Sequence, residues 1–456
     1  MSNFPRIFVG ATRKSSGKTL VSIGLIAAFV QQGLRVHPFK KGPDYIDPRW
    51  LAAAAGRESH NLDFFMMGRE KILGNFFRYA QGADLSLVEG NMGLFDGQDP
   101  QGSDCGAALA ALLQTPILLV VDCQGLARGI APLVTGHIGF PGGEQIQGII
   151  LNNVSSPRQE NKILAALRHY CPVPILGVLP RERQIVIEER HLGLEPVGER
   201  DGVAERIAAI GKLVNEHLDL PRILQLARQA PPLSPPPLPA IPTPTAMAGG
   251  KRVAYVTDRA FHFYYPENLQ ALREEGVELV PISLLTHSTL PDVAGLYIGG
   301  GFPEMFMDTL AANQSIMTDM RRKIEDGLPV YAECGGLMVL AEQMHWHGQS
   351  APMVGALPIE VSMGDRPQGY GYMEVEGRKE GYWPGVGQRM PCHEFHYSRI
   401  SRMGEGVDFA YRVLRGHGID GQHDGLLFRN IFASYAHIHA DGAPGWAAFL
   451  AGFWKG

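Results

Sequence analysis

Cys334 stands in the segment ECGGLMVLAE, directly after the apolar run 329–332. A strand that turns sharply into a helix at a cysteine followed by two glycines exposes the sulfur. It also aims the helix N-terminus at it, which predicts a lowered thiol pKa. The Gly335 N–H is placed to stabilise an oxyanion, and the Gly-rich segment IGGGFPE at 298–304 offers further backbone donors. A lone cysteine is ordinarily a small buried apolar residue. Here the strand–turn–helix setting argues for a nucleophile. A nucleophile needs a base, and the candidates are His393 and His396 in CHEFHYS and His437 and His439 in SYAHIH. Alternation along a strand would put His437 and His439 on one face. Zinc would need a third ligand at a recognisable interval, and none stands there. A Cys–His pair, with the second histidine orienting the first, fits nucleophilic chemistry better.

A second constellation lies near the other end of the chain. The apolar run 6–9 is followed by GATRKSSGKT and then a helical pattern. Small residues let the loop amides, Gly17 among them, turn inward around phosphates. Lys18 reaches the outer phosphates, Thr19 binds Mg²⁺, and the helix N-terminus adds partial positive charge. Thr12 stands where the strict pattern has glycine, so the loop is a variant. Acidic residues follow at the ends of later strands, where α/β sheets hold ligands: Asp44 and Asp47 in KKGPDYIDP, Glu89 and Asp96 in VEGNMGLFDG. Each alone could be a turn or cap residue. As a set with the GKT loop they suit a nucleotide and its metal, with Thr19, Asp47 and Glu89 at the Mg²⁺ and Asp44 and Asp96 nearer the ATP.

These loops must be carried by strands. Near-continuous runs at 6–9, 36–39, 85–88, 116–122, 148–151 and 174–178 alternate with helical patterns, one of them at 19–32. Such runs fit a parallel sheet covered on both faces, a doubly wound α/β domain. The second half repeats the style at 253–257, 279–282, 296–299 and 329–332. It then changes to shorter strands at 371–375, 393–397, 425–428 and 432–437, which predicts a mixed sheet. Residues 231–250, PPLSPPPLPAIPTPTAMAGG, cannot join a helix or sheet and read as a semi-rigid spacer. The expected organisation is therefore 1–230, a linker at 231–250, and 251–456.

Net charge is −5 with no basic block, which argues against nucleic acid as a partner. The first residues lack the pattern of a signal peptide, and the apolar run 20–30 is too short to span a bilayer. Five scattered cysteines without a CxxC pair do not form a disulfide framework. The expectation is a reduced, cytoplasmic protein with no membrane partner.

FKKGPDYIDPRW, VEGNMGLFDG, EERHLGLEP, FHFYYPENLQAL, GLYIGGGFPE, ECGGLMVL, HEFHYS and ASYAHIH together resemble the cobyrinic acid a,c-diamide synthase family, over essentially the whole chain. The resemblance implies a dethiobiotin-synthetase-like ATP domain joined to a class I-type glutamine amidotransferase domain. It implies ATP- and glutamine-dependent amidation of acetate groups on a tetrapyrrole-derived polycarboxylate through an acyl phosphate. Cys334 becomes the glutaminase nucleophile and His437 its base, while His439 stands where related glutaminases carry a glutamate. Three stretches depart from the family pattern: the loop RKSSGKT, Phe64 in NLDFFMMG, and GSDC at 102–105. Because relatives act on cobyrinic or hydrogenobyrinic acid, nickel-sirohydrochlorin and sirohaem, amidation of sirohaem or nickel-sirohydrochlorin is the alternative. A different class of reading is a P-loop ATPase with a non-catalytic C-terminal binding domain. The oligomeric state is not fixed by sequence, and a homodimer is the working expectation.

Overall fold

The computed structural model describes residues 4–182, 189–190, 193–194, 202–234 and 250–454. Most of the Pro-rich spacer and of EERHLGLEP lies outside the described residues. The chain divides into two compact units, Met1–Phe64 with Gly68–Pro239, and Phe65–Met67 with Ala240–Gly456.

The first unit is built on seven strands: β1 (Arg6–Ala11), β2 (Val36–Lys41), β3 (His60–Leu62), β4 (Leu85–Glu89), β5 (Ile117–Asp122), β6 (Ile146–Val154) and β7 (Ile175–Pro180). Their order is β3-β2-β4-β1-β5-β6-β7. Every pairing is parallel. Ile7, Phe8, Val9, Leu87, Val88 and the run Leu118 to Val121 are fully buried, as strands with both faces covered must be. The helices α1 (Lys18–Gln31) and α2 (Asp47–Ala55) begin directly after the loops that follow β1 and β2. The order changes direction around β1, so the loops after β1, β2, β4 and β5 gather at one sheet end, the usual ligand edge of such sheets.

The second unit carries a mixed sheet of nine strands. Val277–Ile282, Lys251–Val256, Gly295–Ile298, Val330–Glu333 and Ile431–Ser434 are parallel neighbours in that order. His423–Phe428, Asp408–Arg415, Gly369–Gly377 and Arg389–His396 continue it antiparallel. Tyr297, Tyr331, Phe432, Trp446 and Trp454 fill one face. Ile298, Ala332, Leu337 and Ala433 fill the other.

One expected strand is shorter than its sequence predicts. The run at 432–437 stops at Ser434. Fully buried Asp424 accepts the amides of Tyr435 (3.0 Å) and Ala436 (2.9 Å) and the Ser434 hydroxyl (3.0 Å). Those amides are withdrawn from the ladder, so the chain turns away from the sheet. His437 and His439 therefore lie beyond the strand, where the expected alternation does not apply.

Candidate functional site

The loop after β1 reaches α1 through Gly17, at φ 93°. A Cβ there would sit 2.1 Å from Asn152 Nδ2, whose amide donates to the Ser16 carbonyl at 2.9 Å. Only glycine satisfies both the left-handed backbone and that close approach. Lys18 opens the helix with its ammonium donating to the Met92 carbonyl at 2.6 Å. Burial brings Lys18 down to about 8, with Lys40 adding to the fall and Glu89, Asp47 and Asp96 opposing it.

Lys40 and Glu89 are partners across β2 and β4. The Lys40 ammonium lies 2.7 Å from Glu89 Oε1, 2.5 Å from Asp47 Oδ2 and 3.8 Å from Asp44 Oδ2. The Thr19 hydroxyl donates to Glu89 Oε1 at 2.7 Å and lies 3.3 Å from Asp47 Oδ2. Burial works against the charge on Lys40, but the three carboxylates hold it above its usual range. Burial pushes Asp44 up to about 7, whereas Lys40 overcomes burial at Asp47 and holds that carboxyl low. Asp44 Oδ1 also caps the start of α2, accepting from Ile46 (2.8 Å) and Asp47 (3.1 Å). Asp96 serves a turn, accepting from Gly93 at 2.9 Å. Thr19, Asp47, Glu89 and Asp44 thus converge on one point, and Asp96 stands beside Lys18.

The donor set suits Mg²⁺, because hydroxyl and carboxylate oxygens are the hard ligands it takes. Glu89 Oε2 is buried with no hydrogen-bond partner among the described residues, an acceptor that a cation would satisfy.

In the second unit, Val330–Glu333 ends at the thiol, and the helix Gly335–Leu340 starts immediately after it. Cys334 sits at φ 48°, a sparsely allowed conformation for a side-chain-bearing residue and typical of a nucleophile elbow. Its amide donates to the Ser434 carbonyl at 2.7 Å, which pins the elbow beside the segment leading to His437. Gly335 packs against the backbone of Gly301, bringing the two Gly-rich segments together. The thiol itself differs from the expectation. Burial raises its pKa, and Glu304, Glu333 and Asp424 add to the rise, outweighing the hydrogen bond from Gly335. At rest Cys334 is a protonated thiol, not a low-pKa thiolate.

His437 is held by paired backbone bonds with His393, His437 N–H to the His393 carbonyl at 2.7 Å and the reverse at 3.1 Å. The two rings stack 4.9 Å apart. The His437 Cε1 lies 2.7 Å from where a Cβ on Gly300 would be, so only glycine permits that approach. Its Nδ1 lies 3.6 Å from Glu333 Oε2. His439 faces other carboxylates, Glu267 at 3.6 Å and Asp441 at 3.8 Å. The two imidazoles lie near different acids. Burial drives His393 far below the usual histidine range, so it is neutral.

Comparison with known proteins gives the same two-part division of chemistry. Residues 252–445 match a CobB/CobQ-like glutamine amidotransferase domain and residues 7–194 a CobQ/CobB/MinD/ParA nucleotide binding domain. A cobyrinate a,c-diamide synthase of Magnetococcus marinus is 58% identical over 454 residues, 99% of this chain and 97% of the relative. The chain belongs to the cobyrinate a,c-diamide synthase family. Further relatives of that name, from Archaeoglobus fulgidus and Listeria monocytogenes, are 38% and 37% identical, covering 96% and 95% of this chain and 94% and 96% of the relatives. Among the described residues, no helix is long and apolar enough to cross a membrane.

Within this family member, sequence reasoning passed over several residues that the fold brings to the two sites. Lys40 was read only as part of KKGPDYIDP, and nothing local shows that β2 pairs it with Glu89. Asp122 ends β5, forms an ion pair with Arg13 of the phosphate loop and accepts from Asn153 at 3.0 Å. The strand-end rule applied to Glu89 would have selected it. Glu333 was hidden by its place beside the nucleophile.

Proposed function

We propose that this protein amidates acetate carboxylates of cobyrinic acid, using ATP to activate each carboxylate and glutamine to supply nitrogen. The supporting observation is a thiol elbow and a phosphate loop with converging acids, in one chain similar to a cobyrinate a,c-diamide synthase over nearly its whole length. Residues 1–230 would carry ATP chemistry and 251–456 the glutaminase, with 231–250 as their linker. The protein would act in the cytoplasm, as a homodimer.

A carboxylate is a poor electrophile. Attack of its oxygen on the γ-phosphorus of ATP forms an acyl phosphate and releases ADP, with Lys18 and the loop amides stabilising charge on the transferring group. Thr19, Asp47 and Glu89 would hold Mg²⁺, which supplies positive charge at the phosphates. Lys40 keeps those acids together before nucleotide arrives. In the other unit, His437 takes the proton from Cys334 as its sulfur attacks the glutamine side-chain carbonyl. The amides of Gly335 and Gly301 receive the oxyanion. Ammonia leaves with a proton, and water then hydrolyses the glutamyl thioester to glutamate. Because burial holds Cys334 protonated, the base is required rather than auxiliary. Ammonia displaces phosphate from the acyl phosphate to give the amide.

The test is product mass after incubation with ATP, Mg²⁺, glutamine and one macrocycle at a time. Cobyrinic acid should lose roughly one dalton per acid converted to amide, twice for a diamide. Sirohaem and nickel-sirohydrochlorin, which no finding favours, should be unchanged. Conversion of either in preference to cobyrinic acid would reject the substrate assignment. Glutamine-independent ATP turnover with no amide formed would instead favour an ATPase with a binding domain.

Glu89→Gln checks the metal assignment. It removes a charge from the oxygen set with little change of shape, so the Mg²⁺ concentration for half-maximal ATP hydrolysis should rise at least about tenfold. An unchanged magnesium titration would place the ion elsewhere.

A further inference from the structure

Glu333 is fully buried in an aromatic setting and directly precedes the nucleophile. A carboxylate in such a place is costly unless its oxygens are satisfied, and an apolar residue of similar size would pack more favourably. Its two oxygens have separate partners. Oε1 accepts from the Tyr331 hydroxyl at 2.9 Å, and the Tyr297 hydroxyl approaches it at 3.5 Å. The Tyr331 oxygen is in turn fixed by the Trp446 indole N–H at 3.3 Å. Burial raises both phenols well above their usual range and Glu333 adds to the rise, so they remain donors. Oε2 is left toward His437 Nδ1 at 3.6 Å. That is longer than a hydrogen bond, a separation that can close when substrate binds.

We infer that Glu333 is the positioning carboxylate of the glutaminase centre, holding the proton of His437 on Nδ1 so that Nε2 is the base for Cys334. Nucleophilic triads need a third group that fixes the imidazole tautomer and stabilises the imidazolium. In this chain that group is adjacent in sequence to the nucleophile and reaches the base because Glu333 and Ser434 are register partners. His439 is engaged with Glu267 and Asp441 instead. The neutral His393 ring stacks on His437, and the Phe263 ring meets it edge-on. Asp424 is spent on the amides of the segment that carries His437, and Glu304 acts on the Cys334 side. The inference rests on the glutaminase reading above and adds to it the residue that makes His437 competent.

The test is glutamine hydrolysis by the full chain as a function of pH, in Glu333→Gln, Glu333→Asp, Tyr331→Phe and His437→Ala, with thermal melting as a check on folding. Glu333→Gln should lower kcat about 10²-fold with the KM for glutamine nearly unchanged. The limb of the profile that His437→Ala abolishes should move down by about one pH unit, since the imidazolium loses its anionic neighbour. Glu333→Asp should recover part of both effects. Tyr331→Phe leaves the carboxylate in place and strips a donor from it, so the same limb should move up. This arm decides the matter if Glu333→Gln does not fold. A folded Glu333→Gln with unchanged kcat, or with lower kcat and no shift of that limb, overturns the inference. So does an unmoved limb in Tyr331→Phe where Glu333→Gln does not fold. Wild-type hydrolysis by His437→Ala would overturn the base assignment itself, a separate outcome.

Discussion

Cys334→Ala should lose glutamine-dependent amidation by at least about 10⁴-fold and keep ATP-dependent amidation from concentrated ammonium salt. Acyl phosphate formation needs the phosphate loop and its acids, and the final attack needs only an amine. The thiol and the loop belong to different compact units, so truncating one side chain leaves the other site's packing intact. Raising pH toward the ammonium pKa should speed the rescued reaction, because free ammonia is the nucleophile. His437→Ala should follow the same pattern, losing about 10² to 10⁴-fold with glutamine. Its loss is severe because burial keeps the Cys334 thiol protonated, so little thiolate exists without a base. The measurement is product mass in wild type and variants with glutamine or ammonium chloride. A folded Cys334→Ala that stays active with glutamine would reject the nucleophile. Failure with both nitrogen sources would assign Cys334 a part in synthesis or coupling.

Lys18→Ala should remove synthesis from either nitrogen source, by about 10² to 10³-fold or more, while much of the basal glutaminase activity remains. The ammonium is buried at the start of α1 and donates to the Met92 carbonyl. Lys40 cannot replace it, because its own charge is committed to Glu89, Asp47 and Asp44. ADP release and glutamate release, measured in parallel, separate the two activities. Equal loss of both in a folded variant would show that nucleotide binding controls the thiol site.

Much of this molecule was legible in its sequence. Six apolar runs located strands of the first sheet because parallel strands buried on both faces must be almost continuously apolar. The GKT loop and the ECGG elbow were readable because each motif is contiguous and its backbone requirements are local. His393 and His437 were both noticed, but their backbone pairing was not readable, since it joins a strand to a segment far along the chain.

What the sequence alone determined is the chemistry carried by contiguous segments: a thiol at a strand-to-helix turn, a phosphate loop, and acids at strand ends. Tertiary structure decided which groups act on one another. Register brings Lys40 to Glu89, 49 residues away, and Asn152 to the carbonyl of Ser16, 136 residues away. Asp424 ends the strand before His437 and cancels the expected alternation. Burial reverses the expected shift at Cys334, because desolvation is summed over the whole packed environment while a motif records only the nearest turn. Glu333 reaches His437 for the same reason, since strand pairing sets distances that sequence separation does not.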